Sequence, residues 1–183
     1  MKRAVFLDRD GTLNIEAVYL SDPWKLVIFP GAGAALQRLM EAGYLLIIVT
    51  NQSGIGRGYY TEADMHAVNT CLAAELARDG VRFEEIYYAP EAPEQPSRGR
   101  KPSPQFLFDA RDKFGLDLAQ SFMVGDKWID LECGWNAGVK ASLLVRTGYG
   151  AEVEKKEASR LGHAVVVDDL TAAAEWILKS CGG

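Results

Sequence analysis

The chain has 183 residues, of which 48% are apolar, and a formal net charge of −5 at pH 7. This length and apolar content predict one domain, spanning residues 1–183, with a core of its own. A net negative charge without a run of Lys or Arg argues against nucleic acid and anionic membranes as main partners. Any binding site for an anion must therefore be local, and we expect a monomer that acts on a small molecule.

The cysteines indicate the cellular setting. Cys71, Cys133 and Cys181 are an odd number with wide spacing and no CxxC pattern, which predicts a reduced, cytoplasmic setting instead of a disulfide framework. No apolar stretch approaches the roughly 20 residues of a membrane helix, and the short apolar run near residue 4 is not typical of a signal peptide. No task can be assigned to the three thiols.

Apolar runs alternate with helical patterns along the chain. Strands are predicted at residues 4–7, 44–49, 85–88, 122–124, 142–145 and 164–167, and helices at 32–42, 61–80, 103–115 and 171–179. Continuous apolar runs rich in β-branched residues are typical of buried parallel strands. The alternation predicts an α/β fold, Rossmann-like, with an open parallel sheet and helices on both faces.

Capping residues and prolines indicate where the helices begin. Thr61 is predicted to cap the second helix, with Asp64 in the capping-box position. Ser103 followed by Pro104 is predicted to open the third, because Pro fits the first turn of a helix. Residues 89–104 are rich in proline and charge and lack apolar periodicity. We predict that they form a loop over the site, and that loops alone cover it, since the chain is too short for a large cap domain.

Polar residues follow the apolar strands. Asp8, Thr50 and Asp126 each stand at a predicted strand end, and ligands of open parallel sheets bind outside the carboxyl ends of the strands. On an extended backbone Asp8 and Asp10 point the same way. Two carboxylates that repel each other suit an ionised nucleophile and a proton carrier. By itself the pair is also compatible with a metal site, a helix cap or a phospho-receiver.

Four segments in one order narrow these alternatives. LDRDGTLN, VTNQSGIGRG, RKP and MVGDKWID, within roughly residues 3–150, resemble the motifs of the haloacid dehalogenase-like hydrolases. Among these they are similar to the heptose bisphosphate phosphatases and the related histidinol-phosphate phosphatases. The resemblance implies a Mg²⁺-dependent phosphomonoesterase that removes the 7-phosphate of a heptose 1,7-bisphosphate. Histidinol phosphate or another small phosphometabolite is the alternative substrate.

An alternative from another class is a phosphate-binding or phospho-receiver module. A receiver also takes phosphate on an aspartate at a strand end. Asp10 argues against this alternative, because a stable phosphoaspartate has no use for a general acid two residues from the nucleophile.

The resemblance also implies roles for individual residues. Asp8 would attack phosphorus, and Asp10 would serve as general acid and base. Thr50, Asn51 and Lys101 would stabilise the phosphoryl oxygens. The implied metal ligands are the Asp8 carboxylate, the Asp10 carbonyl and Asp126, with Asp130 orienting Lys101 or a metal-bound water. Lys127 lies directly beside Asp126 in the sequence, and this position predicts a minor metal or phosphate-side role for it.

Substrate contacts follow from the same resemblance. The implied set is Glu16, Ala17, Val18, Tyr19, Thr50, Asn51, Gln52, Ser53, Arg100 and Lys101. Arg100 is suited to a second phosphate because its planar fork binds two oxygens at once.

One departure from the family concerns zinc. Heptose bisphosphate phosphatases commonly hold a structural zinc before RKP with three Cys and one His, but the corresponding positions here are Ala89, Glu91, Ser97 and Gly99. One carboxylate cannot form a tetrahedral zinc site. We therefore predict no structural zinc, and expect the prolines of the loop to limit its freedom instead.

Overall fold

The computed structural model describes residues 1–180. Its centre is a six-stranded sheet in the order β3-β2-β1-β4-β5-β6, in which all neighbours are parallel. The strands are β1 (Arg3–Leu7), β2 (Tyr44–Asn51), β3 (Phe83–Ala89), β4 (Phe122–Gly125), β5 (Ala141–Val145) and β6 (Ala164–Val167). The strand order reverses between β1 and β4, and ligands bind at such a switch point.

Helices cover both faces of the sheet, as predicted. They are α1 (Ala32–Glu41), α2 (Ser53–Gly56), α3 (Glu62–Ala77), α4 (Gln105–Phe114), α5 (Trp128–Ala137), α6 (Gly150–Lys156) and α7 (Leu170–Lys179). Val5 and Leu7 of β1 belong to one core cluster with α1, α3 and α7. Ala4 and Phe6, whose side chains point the other way, belong to a second cluster with α4 and α5. Two buried faces explain why the strands are continuously apolar.

Capping residues set the helix boundaries, in two cases not where we predicted. Thr61 caps α3 as expected, since its Oγ1 accepts from Asp64 N at 3.2 Å and its own N donates to the Asp64 carboxylate at 2.8 Å. Pro104 is the N-cap of α4 and not part of its first turn. α7 begins one residue earlier than predicted, because Asp169 Oδ1 accepts from Ala172 N at 2.8 Å.

Three helices, α2, α5 and α6, are missing from the sequence-based prediction. α2 has only four residues. α5 contains Gly134, and glycine has a low helix propensity. The structure needs it, because a Cβ there would lie 2.2 Å from Ser142 Oγ in β5. The acidic motif MVGDKWID therefore joins the end of β4 to the first turn of a helix.

Within residues 1–180, none of the helices combines the length and the apolar character that crossing a membrane requires. Cys71 and Cys133 are free thiols, and Cys181 lies outside the described residues. The cytoplasmic setting stays a prediction.

Candidate active site

The ends of three neighbouring strands bring three of the predicted site residues together. Asp8 follows β1, and its backbone N donates to Val124 O of β4 at 2.9 Å. Thr50 lies near the end of β2 and Asp126 directly follows β4. All three side chains are buried. The convergence predicted from the parallel sheet is therefore present in the structure.

Lys101, from the loop between β3 and α4, is the cation of this group. Its Nζ lies 2.8 Å from Asp8 Oδ1 and 2.6 Å from Asp130 Oδ1, and it donates to Val49 O at 2.7 Å. Burial opposes the charge of Lys101, but the two carboxylates outweigh it and raise its pKa. Burial also opposes ionisation of Asp8, yet Lys101 and Lys127 hold its pKa below the usual range. Asp8 is thus kept as a carboxylate, the form that a nucleophile requires.

Three buried carboxyl groups form a candidate metal site. One oxygen from each of Asp8, Asp126 and Asp130 lies within 4.8 Å of the others. Asp126 Oδ2 accepts from Tyr149 N at 2.9 Å, whereas Oδ1 is buried without a hydrogen-bond partner in residues 1–180. Burial and the nearby Asp8 raise the pKa of Asp126 to about 8. A divalent cation that prefers oxygen ligands, such as Mg²⁺, fits an acid with one oxygen that accepts no hydrogen bond.

Asp10 is held by hydrogen bonds outside that cluster. Its Oδ2 accepts from Arg9 Nη2 at 2.7 Å, from Arg9 Nε at 3.2 Å and from Gln52 Nε2 at 3.0 Å. Its Oδ1 accepts from Asn14 Nδ2 at 3.0 Å. The extended backbone that this prediction assumed does not continue to Asp10, because β1 ends at Leu7 and the chain then turns. Side-chain donors orient Asp10 instead.

Two residues of the second motif have partners that the sequence did not reveal. Gln52 Nε2 bridges Asp10 and Thr50 Oγ1, at 3.0 and 2.8 Å. Asn51 Nδ2 donates to Lys101 O at 3.1 Å, and Asn51 Oδ1 accepts from Lys101 N at 3.0 Å. Asn51 therefore fixes the backbone of Lys101 with one N–H and the oxygen of its amide. The second N–H of the amide remains a donor, and the expected phosphoryl contact stays a prediction.

A cavity of about 280 Å³ opens beside Asp10. Besides Leu20, Tyr60, Lys127 and Tyr149, the lining contains most of the predicted substrate residues: Glu16, Ala17, Val18, Tyr19, Asn51, Gln52 and Ser53. A larger cavity of about 610 Å³, between α3 and β3, contains none of the predicted site residues. The segments after the first and second motifs therefore meet at one cavity, as a substrate pocket requires.

Lys127 supplies a positive charge to this cavity. Its Nζ lies 2.9 Å from Glu16 Oε2 and 4.9 Å from the centre of the Tyr149 ring. Burial opposes its charge, but Asp8, Asp126 and Glu16 raise its pKa. A protonated amine has no lone pair to offer a metal. Its nitrogen therefore does not fit the minor metal role predicted for Lys127, whereas an anion-binding role does fit.

Arg100 is not among the residues that line the cavity. Its Nη1 donates to Glu91 O at 3.1 Å, and its backbone N donates to Ser97 Oγ at 3.1 Å. Ser97 Oγ in turn donates to Glu91 Oε2 at 2.7 Å. Ser97 and Glu91, at two of the positions that correspond to zinc ligands in the family, thus form a hydrogen bond with each other and both accept hydrogen bonds from Arg100.

Arg9 is a buried site residue that sequence reasoning missed. It is the largest fully buried side chain, with none of its surface exposed. A charged side chain is almost never buried to this degree unless it is paired. The one signal in the sequence is its position between the two aspartates of the first motif. An arginine there lies close enough to both carboxylates to be attracted electrostatically by them.

Comparisons with known proteins agree with this geometry. The HAD-hydrolase-like family profile matches residues 99–173. D-glycero-beta-D-manno-heptose-1,7-bisphosphate 7-phosphatase of Haemophilus ducreyi is 45% identical over 164 residues, covering 85% of this chain and 90% of that protein. The Escherichia coli K12 protein of the same name is 36% identical over 184 residues, covering 97% and 88%.

A solved structure is similar over the whole fold. The D,D-heptose 1,7-bisphosphate phosphatase from B. bronchiseptica, complexed with magnesium and phosphate, has a TM-score of 0.88 and 32% identity and covers 99% of this chain and 100% of its own. The chain therefore belongs to the haloacid dehalogenase-like hydrolases and, within them, to the family of phosphoric monoester hydrolases that includes the heptose bisphosphate phosphatases.

Proposed function

We propose that this chain is a Mg²⁺-dependent phosphatase that removes the 7-phosphate of D-glycero-D-manno-heptose 1,7-bisphosphate through an aspartyl-phosphate intermediate. The observation that carries the proposal is the buried cluster of Asp8, Asp126 and Asp130 around Lys101. The substrate is supported by the names of the relatives, and the metal by the magnesium and phosphate in the related crystal structure.

In the first step the Asp8 carboxylate attacks phosphorus. A new O–P bond forms, the P–O bond to the sugar breaks, and Asp10 gives its proton to the departing sugar oxygen. Lys101 and Thr50 stabilise the phosphoryl oxygens as charge develops on them. Mg²⁺ held by Asp8, Asp126 and the Asp10 carbonyl, with Asp130 nearby, would supply further positive charge against those oxygens.

In the second step water attacks the phosphorus of the phosphoaspartate. Asp10, now a carboxylate, accepts the proton of that water. The bond between phosphorus and Asp8 breaks, phosphate leaves, and both aspartates return to their starting states. One carboxyl group thus serves as acid and then as base.

The test is phosphate release from both anomers of heptose 1,7-bisphosphate and from histidinol phosphate at equal concentration, with Mg²⁺ and with EDTA. We expect the bisphosphate to be preferred, and EDTA to abolish a turnover that added Mg²⁺ restores. Preference for histidinol phosphate would favour the alternative substrate. Stable phosphorylation of Asp8 without turnover would favour the receiver module.

Gly11 and Gly148 pack closely against the carboxyl group of Asp126. A Cβ on Gly148, whose φ is +57°, would lie 2.2 Å from Asp126 Oδ2 and 2.7 Å from Gly11 Cα. We expect Gly148→Ala to displace Asp126, lower kcat/KM about 100-fold and weaken Mg²⁺ binding, since a shift of about 1 Å has an effect of that order. Gly138→Ala is the matched control, because Gly138 also has positive φ, +74°, with nothing within 4 Å. Equal losses in both variants would exclude the steric explanation.

Arg100 is predicted to bind the phosphate that is not removed. We expect Arg100→Gln to raise KM for the bisphosphate about 10- to 100-fold, as for loss of a charge-assisted hydrogen bond. KM for a sugar phosphate that has only the scissile group should not change. Arg98→Gln is the control, because Arg98 is an exposed arginine of the same loop that pairs with Asp109. An equal rise in KM for both substrates would contradict the assignment.

The absence of structural zinc and the monomeric state stay predictions. We expect metal analysis of protein purified in the presence of zinc to find no tightly bound equivalent. One equivalent of zinc that resists dialysis would overturn the prediction. Light scattering of the same sample measures the oligomeric state.

A further inference from the structure

We infer that Arg9, anchored by Asn69 of α3, is a positioning residue that fixes Asp10 so that Oδ1 is the oxygen that exchanges the proton with the substrate. The inference rests on the proposed role of Asp10 as general acid. It adds two residues, Arg9 and Asn69, that the motif comparison did not assign.

All three nitrogens of the Arg9 guanidinium group donate hydrogen bonds. Nε and Nη2 donate to Asp10 Oδ2 at 3.2 and 2.7 Å, and Nη2 also lies 3.2 Å from Gln52 Oε1. Nη1 donates to Asn69 Oδ1 at 2.9 Å. Asn69 Nδ2 in turn lies 2.8 Å from Met65 Sδ, so the amide is held from the helix side. The planar fork thus links helix α3 to the carboxyl group of Asp10.

The orientation of Gln52 is fixed in the same network. Tyr60 OH donates to Gln52 Oε1 at 2.6 Å, and burial raises the pKa of Tyr60 to about 12, so the hydroxyl keeps its proton. Because Oε1 accepts from Tyr60 and Arg9, the Nε2 group is the one that faces Asp10 and Thr50.

The two oxygens of Asp10 therefore differ. Oδ2 faces three N–H donors, two from Arg9 and one from Gln52. A proton on Oδ2 would point at these donors and lose hydrogen bonds. Oδ1 accepts only from Asn14 and has capacity for a proton. The network therefore selects Oδ1 as the oxygen that carries the proton, in a residue that lines the cavity.

Loss of a correctly placed acid has a recognisable kinetic effect. An alkyl oxygen is a poor leaving group and needs the proton, whereas p-nitrophenolate leaves without one. A variant that only misplaces Asp10 should lose much more kcat/KM with an alkyl phosphate than with p-nitrophenyl phosphate. A variant that damages the whole site should lose both alike. The parameter kcat/KM is the right one, since it reports the first phosphoryl transfer.

The experiment measures kcat/KM of Asn69→Leu and Arg9→Lys with heptose bisphosphate and with p-nitrophenyl phosphate. Asn69→Leu keeps the branched shape of the side chain but removes the oxygen that accepts from Arg9. Arg9→Lys keeps the charge but removes the planar guanidinium group. We expect losses of at least about tenfold with the sugar phosphate and less than about threefold with the aryl phosphate. Thr70→Ala, an exposed position on the same helix, is the matched control and should change neither.

Asp10→Asn separates this inference from the proposed function. If Asp10→Asn lacks the difference between the two substrates, the acid role itself is wrong. The other case is that Asp10→Asn loses more kcat/KM with the sugar phosphate than with p-nitrophenyl phosphate, while Asn69→Leu loses both activities equally or loses neither. In that case only the inference about Arg9 and Asn69 is overturned. Thermal unfolding of each variant identifies one that does not fold, and Asn69→Leu decides the question if Arg9→Lys fails to fold.

Discussion

Asp8→Asn is expected to abolish turnover. The substitution keeps the size of the side chain but removes the negative oxygen that attacks phosphorus. Loss of a nucleophile lowers kcat by a factor on the order of 10⁴ to 10⁶. We also expect that acid-quenched protein no longer contains a phosphorylated aspartate, which mass spectrometry of the digested chain would detect in the wild type.

Asp112→Asn is the control for this change. Asp112 is an exposed aspartate on α4 that pairs with Arg111. The same substitution there should leave kcat and the phosphorylated peptide unchanged. Turnover by Asp8→Asn at a rate near wild type would reject Asp8 as the nucleophile.

Lys101→Met has the second largest expected effect, on both activity and stability. Lys101 is 2% exposed, and its ammonium pairs with Asp8 and Asp130. Its removal deletes a preorganised charge that faces the phosphoryl oxygens, a loss of about 10²- to 10³-fold in kcat. It also leaves two buried carboxyl groups without their cation, which lowers the free energy of unfolding by about 3 kcal/mol.

Two further lysine variants separate these effects. Lys113→Met removes an exposed lysine that pairs with Glu85 and should affect neither quantity. Lys101→Arg keeps the charge, so the stability should recover more than the activity, because the longer planar group cannot take the same position. If Lys101→Met unfolded at the wild-type temperature with normal kcat, Lys101 would be neither a cation of the site nor a partner of the two acids.

The acids of the site could be predicted because they depend on the regular part of the fold. Asp8 and Asp126 directly follow apolar strands, and in a parallel sheet such positions meet at one edge. Asp130 is predicted from the resemblance of the motif MVGDKWID to its family. The structure places it in the first turn of α5, where its carboxylate contacts Lys127 N and Lys101. Strand pattern and motif were sufficient for these residues.

Side-chain networks could not be predicted in this way. Arg9 and Asn69 are 60 positions apart, and no local pattern indicates that an arginine and a helix amide will meet. The hydrogen bonds between Asn51 and the Lys101 backbone span 50 positions. Such contacts depend on how α3 and the loop before α4 pack on the sheet, which periodicity does not specify.

The hydrogen bond between Ser97 and Glu91 has a consequence outside the reaction itself. Residues 89–104 contain no cysteine and no histidine, so the contact that holds Arg100 uses no thiolate. Oxidants that attack zinc-bound sulfur have no target in this loop. We expect the loop to retain its conformation during oxidative stress and zinc starvation. A loop held by a cysteine-bound metal would lose its folded conformation under these conditions.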